Sequence, residues 1–125
     1  MHSVVTWFQT RRRLRFRCVC NHVTTECIEH VVISHGADGV NWFSVGSALH
    51  ATPPKVSVAS TVGAGDSLLA GMLHGLLSAD TPEQTLRTAT AIAAMAVTQI
   101  GFGINDAAQL AQLEQGVRVR PLTEQ

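Results

Sequence analysis

The chain has 125 residues, 46% of them hydrophobic and 14% charged, and its nine basic and nine acidic side chains leave a formal charge of zero. That length allows one domain with a modest core, and no run approaches the roughly 18 apolar residues of a membrane span, which argues against a membrane role. The neutral total hides an uneven spread: Arg11, Arg12, Arg13, Arg15 and Arg17 supply five of the nine basic residues, and Glu26 is the one acid before residue 28. A basic head therefore precedes an acidic body.

The head, residues 1–27, is read as a segment without a stable fold, disordered or translated out of frame. Its Arg-rich, acid-poor composition would also suit a transit peptide, or a patch for nucleic acid or anionic lipid, although no fold is legible around the arginines. Neither nucleic acid nor membrane is the expected partner. Cys18, Cys20 and Cys27 with His22 and His30 could be drafted as zinc ligands, but the C-x-C-x₆-C spacing matches no common finger, so no metal site is expected. Three cysteines and no secretory h-region fit reduced thiols and a cytoplasmic location.

The body, residues 28–125, has a more regular pattern. A strand is predicted over 30–34, apolar on both faces because Val31, Val32 and Ile33 are consecutive. A turn at 36–39 follows, then a hairpin of 40–45 and 48–51 around Gly46 and Ser47, with Trp42 a packing residue. His35 is expected to be an exposed loop residue, and no partner is legible for His50 or His74. Pro53 and Pro54 break the pairing before another strand over 56–60. In the helix that follows, Leu69, Met72, Leu73 and Leu76 recur at i, i+3, i+4 and i+7 as one apolar face. Thr81, Pro82 and Gln84 then make a capping box: Thr81 caps, Pro82 takes the first helical position and Gln84 reaches back. Leu86, Ala89, Ala93, Ala96, Val97 and Ile100 form the stripe of that helix, ended by Gly101. A short helix over 106–115 capped by Asn105, and a strand over 117–119, complete the pattern. Strands alternating with helices predict an α/β layered fold with a largely parallel sheet.

Residues 60–67, Ser-Thr-Val-Gly-Ala-Gly-Asp-Ser, are the most informative stretch. Gly63 and Gly65 have no Cβ, so an anion can approach the backbone where a helix begins and its first N–H groups are unpaired. Asp66 stands where it could take a proton from a hydroxyl attacking a phosphate held there. A Walker loop is excluded because no Lys follows the glycines, and a dinucleotide fingerprint would need glycine at Leu68. An esterase reading with Ser67 as nucleophile lacks a later His base, since the last histidine is His74 on the same predicted helix. A capped, glycine-rich turn with no chemistry would account for the same letters.

Taken with Ser34, His35, Gly36, Ala37, Asp38 and Gly39, which resemble a Ser/Thr-x-Gly-x-x-Gly turn, this stretch resembles the C-terminal signature of the ribokinase-like, or pfkB, carbohydrate kinases. The resemblance runs from about residue 28 to the end. It implies a layered ribokinase-like sheet flanked by helices, in its C-terminal portion only. It also implies ATP with Mg²⁺, Asp66 as catalytic base, an anion hole from the amides of Gly63, Ala64 and Gly65, and a first ATP loop at Ser34 to Gly39. The later Ala-rich helix and the turn at 100–103 would wall the adenine. The matching branch acts on sugar phosphates, with fructose 1-phosphate the expected acceptor. Ser60 replaces an acidic residue common in the family, which leaves monovalent-cation dependence open. The family's sugar signature and lid have no counterpart here, so a truncated nucleotide-binding portion is expected, or a non-catalytic remnant. Self-association through an exposed sheet edge would follow.

Overall fold

A computed structural model describes residues 4–8, by backbone alone, together with 29–44 and 46–122. The five arginines of the head, Cys18, Cys20, Cys27 and His22 lie outside the described residues. Within the head, β1 (Val4–Phe8) forms a strand, an element that composition did not reveal. Its five residues are β-branched or aromatic, and β2 (His30–Ser34) offers a free edge for them.

Two hairpin-like links build the rest of the sheet. β2 turns into β3 (Val40–Ser44), β3 into β4 (Ser47–Thr52), and the chain returns at its end as β5 (Arg118–Pro121). The strands lie in chain order and every neighbouring pair is antiparallel. The largely parallel sheet expected above is thus corrected. Parallel pairing needs a crossover between neighbours, and here the helices follow β4 together instead of separating β2, β3 and β4. The strand expected over 56–60 is also absent. That stretch has alternating valines but no strand beside it, and its end is held instead by Ala59 and Ser60, whose N–H groups donate to the Val97 carbonyl at 2.7 and 3.2 Å.

One face of the sheet carries the core. Trp42 sits opposite Val32 and Leu49 in register, and Val40 opposite Ala51, so these buried side chains share a face. Leu68 and Met72 of α1 (Ala64–Leu77), Leu86, Ala89 and Ala91 of α2 (Pro82–Val97), and Val117 complete the cluster. The buried face of α1 matches the stripe read from sequence only in part: Met72 is buried and Leu76 packs against the core, as expected. Leu68, Gly71, Met72 and Gly75 are buried, whereas Leu73 and Leu77 are exposed. A Cβ on Gly71 would lie 2.7 Å from the Ala89 Cα, so glycine, not leucine, marks where the two helices touch.

The helix ends differ in detail from the sequence reading. Thr81 Oγ1 accepts from the Gln84 amide at 3.2 Å as expected, but the Gln84 side chain points forward to Thr88 instead of back. α2 stops at Val97 with Thr98 as its C-cap, which leaves Ile100 exposed and outside the stripe. α3 (Ala107–Gly116) is capped by Asp106, whose carboxylate accepts from the amides of Ala108 and Gln109, not by Asn105. Arg87 of α2 donates to the carbonyls of Glu114 and Val117 at 3.3 and 2.6 Å, tying α2 to the end of α3. Among the described residues no helix is long and apolar enough to cross a membrane.

Candidate functional site

Two glycine-bearing turns meet at one cavity. The first joins β2 to β3 and closes on itself: His35 N–H donates to Gly39 O at 2.8 Å, Asp38 N–H to His35 O at 3.1 Å, and Gly39 N–H to Gly36 O at 3.1 Å. Gly39 has φ 110° and ψ −160°, a region almost closed to other residues. A Cβ there would overlap the Ala51 carbonyl and come within 2.8 Å of the His50 ring. Packing therefore fixes this turn.

The second turn opens α1. Gly63 is its N-cap in the left-handed conformation, with φ 82°, and no side chain caps the helix. Ser60 Oγ accepts from the Val62 amide at 3.2 Å, which shapes the approach. The Ala64 amide reaches Thr61 O only at 3.5 Å, and the amides of Gly63, Gly65 and Asp66 have no backbone partner among the described residues. Unpaired donors at the positive end of a helix attract an anion. Asp66, the third residue of α1, is exposed beside them.

The cavity measures about 450 Å³, within the usual range of small-molecule sites. Ser34, Gly36 and Ala37 come from the first turn, and Ala64 and Gly65 from the second. Pro53, Pro54, Lys55 and Val56 form a further wall, and Ala93, Ala94 and Val97 of α2 another. His35, Asp38, Gly39, Gly63 and Asp66 do not line it: the first three shape or flank the closed turn, and the last two flank the lining residues Ala64 and Gly65 in the chain. Ala93, Ala94 and Val97 of the Ala-rich helix thus line the cavity, whereas no residue of the turn at 100–103 does, and Phe102 and Ile104 are exposed.

Sequence reasoning missed two polar lining residues. Lys55 follows the double proline, where only a chain break was legible. Thr90 is 2% exposed and its Oγ1 has no hydrogen-bond partner among the described residues. A buried hydroxyl without a partner is costly unless something else satisfies it. Thr85 is orphaned too, but it packs against Gly75, away from the cavity.

The opposite face of the sheet holds a polar network. His50 Nδ1 donates to Asn41 Oδ1 at 2.6 Å, and Thr52 Oγ1 donates to His50 Nε2 at 3.1 Å. Asn41 Nδ2 faces His35 Nε2 at 3.5 Å, so His35 is half-buried and not the exposed loop residue expected. Burial lowers the His50 pKa, helped by the nearby charges of Arg120 and His35. On the core side, Trp42 Nε1 donates to His30 Nδ1 at 3.3 Å. Burial lowers the His30 pKa as well, against the opposing pull of Glu29 at 3.9 Å. His74 is exposed on α1. Among the described residues no group of three or more His, Cys, Asp or Glu could hold a metal ion.

This architecture is shared with known proteins. The pfkB family carbohydrate kinases match residues 18–108, starting inside the basic head. A 1-phosphofructokinase of Vibrio cholerae is 50% identical over 95 residues, which are 76% of this chain and 30% of that protein. The Escherichia coli 1-phosphofructokinase is also 50% identical, over 94 residues. A crystal structure of Escherichia coli phosphofructokinase-2 in complex with substrates and products superposes with a TM-score of 0.63 at 26% identity, covering 70% of this chain and 28% of that one. The chain belongs to the pfkB carbohydrate kinase family. It spans about 30% of the length of the curated relatives it matches.

Proposed function

We propose that this chain carries the nucleotide-binding and catalytic-base part of an ATP-dependent sugar-phosphate kinase, with fructose 1-phosphate as acceptor and fructose 1,6-bisphosphate as product. The observation that supports it most is Asp66 exposed beside the unpaired amides of Gly63 and Gly65, next in the chain to the Ala64 and Gly65 that line a cavity of about 450 Å³. The residues present suit a nucleotide: apolar walls for a base, and an open helix start for phosphates. In this reading Asp66 accepts the proton of the C6 hydroxyl as that oxygen bonds to the γ-phosphorus and the bond to the departing ADP breaks. The amides of Gly63, Ala64 and Gly65 donate to the oxygens of the transferred phosphoryl group. Mg²⁺ arriving with ATP would neutralise charge on the phosphates. Val97 holds the approach to this turn by accepting from Ala59 and Ser60, so α2 positions the anion-binding backbone.

A second reading, nucleotide binding without turnover, is favoured by the exposure of Asp66, which no described element covers. An assay with ATP, Mg²⁺ and fructose 1-phosphate separates the two. Turnover that Asp66→Asn reduces by about 10³-fold or more supports the first. No turnover, with a thermal transition that rises on adding ATP, supports the second. Neither turnover nor stabilisation removes both. Self-association belongs to the same proposal: β1 and β5 are the outer strands of the sheet, and a strand edge can pair with another copy. A monomer at all concentrations in size-exclusion chromatography would count against that part.

A further inference from the structure

The cavity contains one charge. Of the residues that line it, Lys55 alone is ionisable, and among the described residues no ion pair or hydrogen bond engages its ammonium. The other lining side chains are aliphatic or proline, apart from the hydroxyls of Ser34, Thr61 and Thr90. An anion with three or four negative charges would therefore meet backbone amides at the start of α1 and a single cation lining the same cavity.

Local structure also holds Lys55 in place. It follows Pro53 and Pro54, whose rings restrict the backbone as it leaves β4. Pro54 packs against the end of α3 so closely that a Cβ on Gly116 would come within 2.9 Å of its ring. The backbone leading into Lys55 is thus restrained, while its flexible four-carbon stem leaves the ammonium free to follow a ligand. Such a surface cation without a carboxylate partner contributes little to folding.

Resting on the nucleotide reading above, we infer that Lys55 is a binding residue for the polyphosphate of the nucleotide, a contact whose strength grows with the number of phosphates. Lysine suits this task as a compact point charge on a flexible stem. It lines the same cavity as Ala64 and Gly65, and the apolar walls are left for the base.

The test measures binding of ATP, ADP, AMP and adenosine, with Mg²⁺ present, to the full chain and to Lys55→Gln and Lys55→Arg. The expected result is a loss of about tenfold for ATP in Lys55→Gln, a smaller loss for ADP and AMP, and none for adenosine. Lys55→Arg should recover most of the ATP affinity, and added salt should shrink the gap between parent and Lys55→Gln. An equal loss for adenosine and ATP overturns the assignment, because the side chain would then be packing and not pairing. Unchanged ATP affinity in Lys55→Gln overturns it too, while leaving the nucleotide reading standing. A parent chain that binds none of the four overturns both.

Discussion

The turn at 35–39 and the turn at 60–66 both carry left-handed glycines and both border the cavity, yet their backbones are used in opposite ways. In the first, the amides of His35, Asp38 and Gly39 are spent on the turn itself, and Gly39 is walled in by Ala51 and His50. In the second, the amides of Gly63, Gly65 and Asp66 have no backbone partner among the described residues, and the nearest atom to a Cβ on Gly63 would be the Phe102 ring at 3.4 Å. One turn is a fixed support and the other an open receptor. Glycine is needed for shape in the first and for access in the second.

Substitution can break this contrast. The largest effect is expected for Gly39→Ala, which adds backbone strain to a steric overlap with the Ala51 carbonyl and should cost about 3 kcal/mol or more. Denaturant unfolding measures it; a loss below about 1 kcal/mol would mean the turn rearranges easily and is no fixed support. Gly63→Ala meets no overlap and should cost only the left-handed preference, roughly 1–2 kcal/mol, while weakening ATP binding more than Gly39→Ala does in the fraction that remains folded. Equal binding losses would erase the distinction.

The smallest effect sharpens the picture of the first turn through the histidine beside it. The His50 pKa is lowered by burial, by Arg120 and by His35, so below the ordinary imidazole value the unfolded chain binds more protons than the folded one. Stability contributed by neutral His50 is complete above about pH 6.5 and is lost as pH falls through the lowered folded value. Unfolding measured between about pH 7.5 and pH 5 should show this decline, and His50→Gln should flatten it. A steeper decline in the variant would contradict the assignment.

Much of this was legible in the sequence because short-range chemistry decided it. The Thr81–Pro82 start of α2, the hairpin at Gly46 and the glycine turn before Asp66 each follow from local backbone preference. What failed depended on partners distant in sequence. Met72 and Leu76 of the α1 stripe do reach the core, but Leu73 is exposed because Gly71 and Gly75 let α2 approach on a rotated face. Strand direction follows from partners that alternation alone does not show, because the sheet forms mainly within 30–52, ahead of the helices. Lys55 and Thr90 carry no motif, and only the closing of the cavity brings them to the same space.

Arg87 has a consequence for how the chain opens. Its guanidinium holds the carbonyls where α3 gives way to the last strand, so the final helix, β5 and the middle of α2 are joined by one side chain. Amide hydrogens from 107 to 121 should therefore exchange with solvent as a single cooperative unit. In Arg87→Met that unit should exchange early and alone, peeling away from a sheet that keeps its other strands.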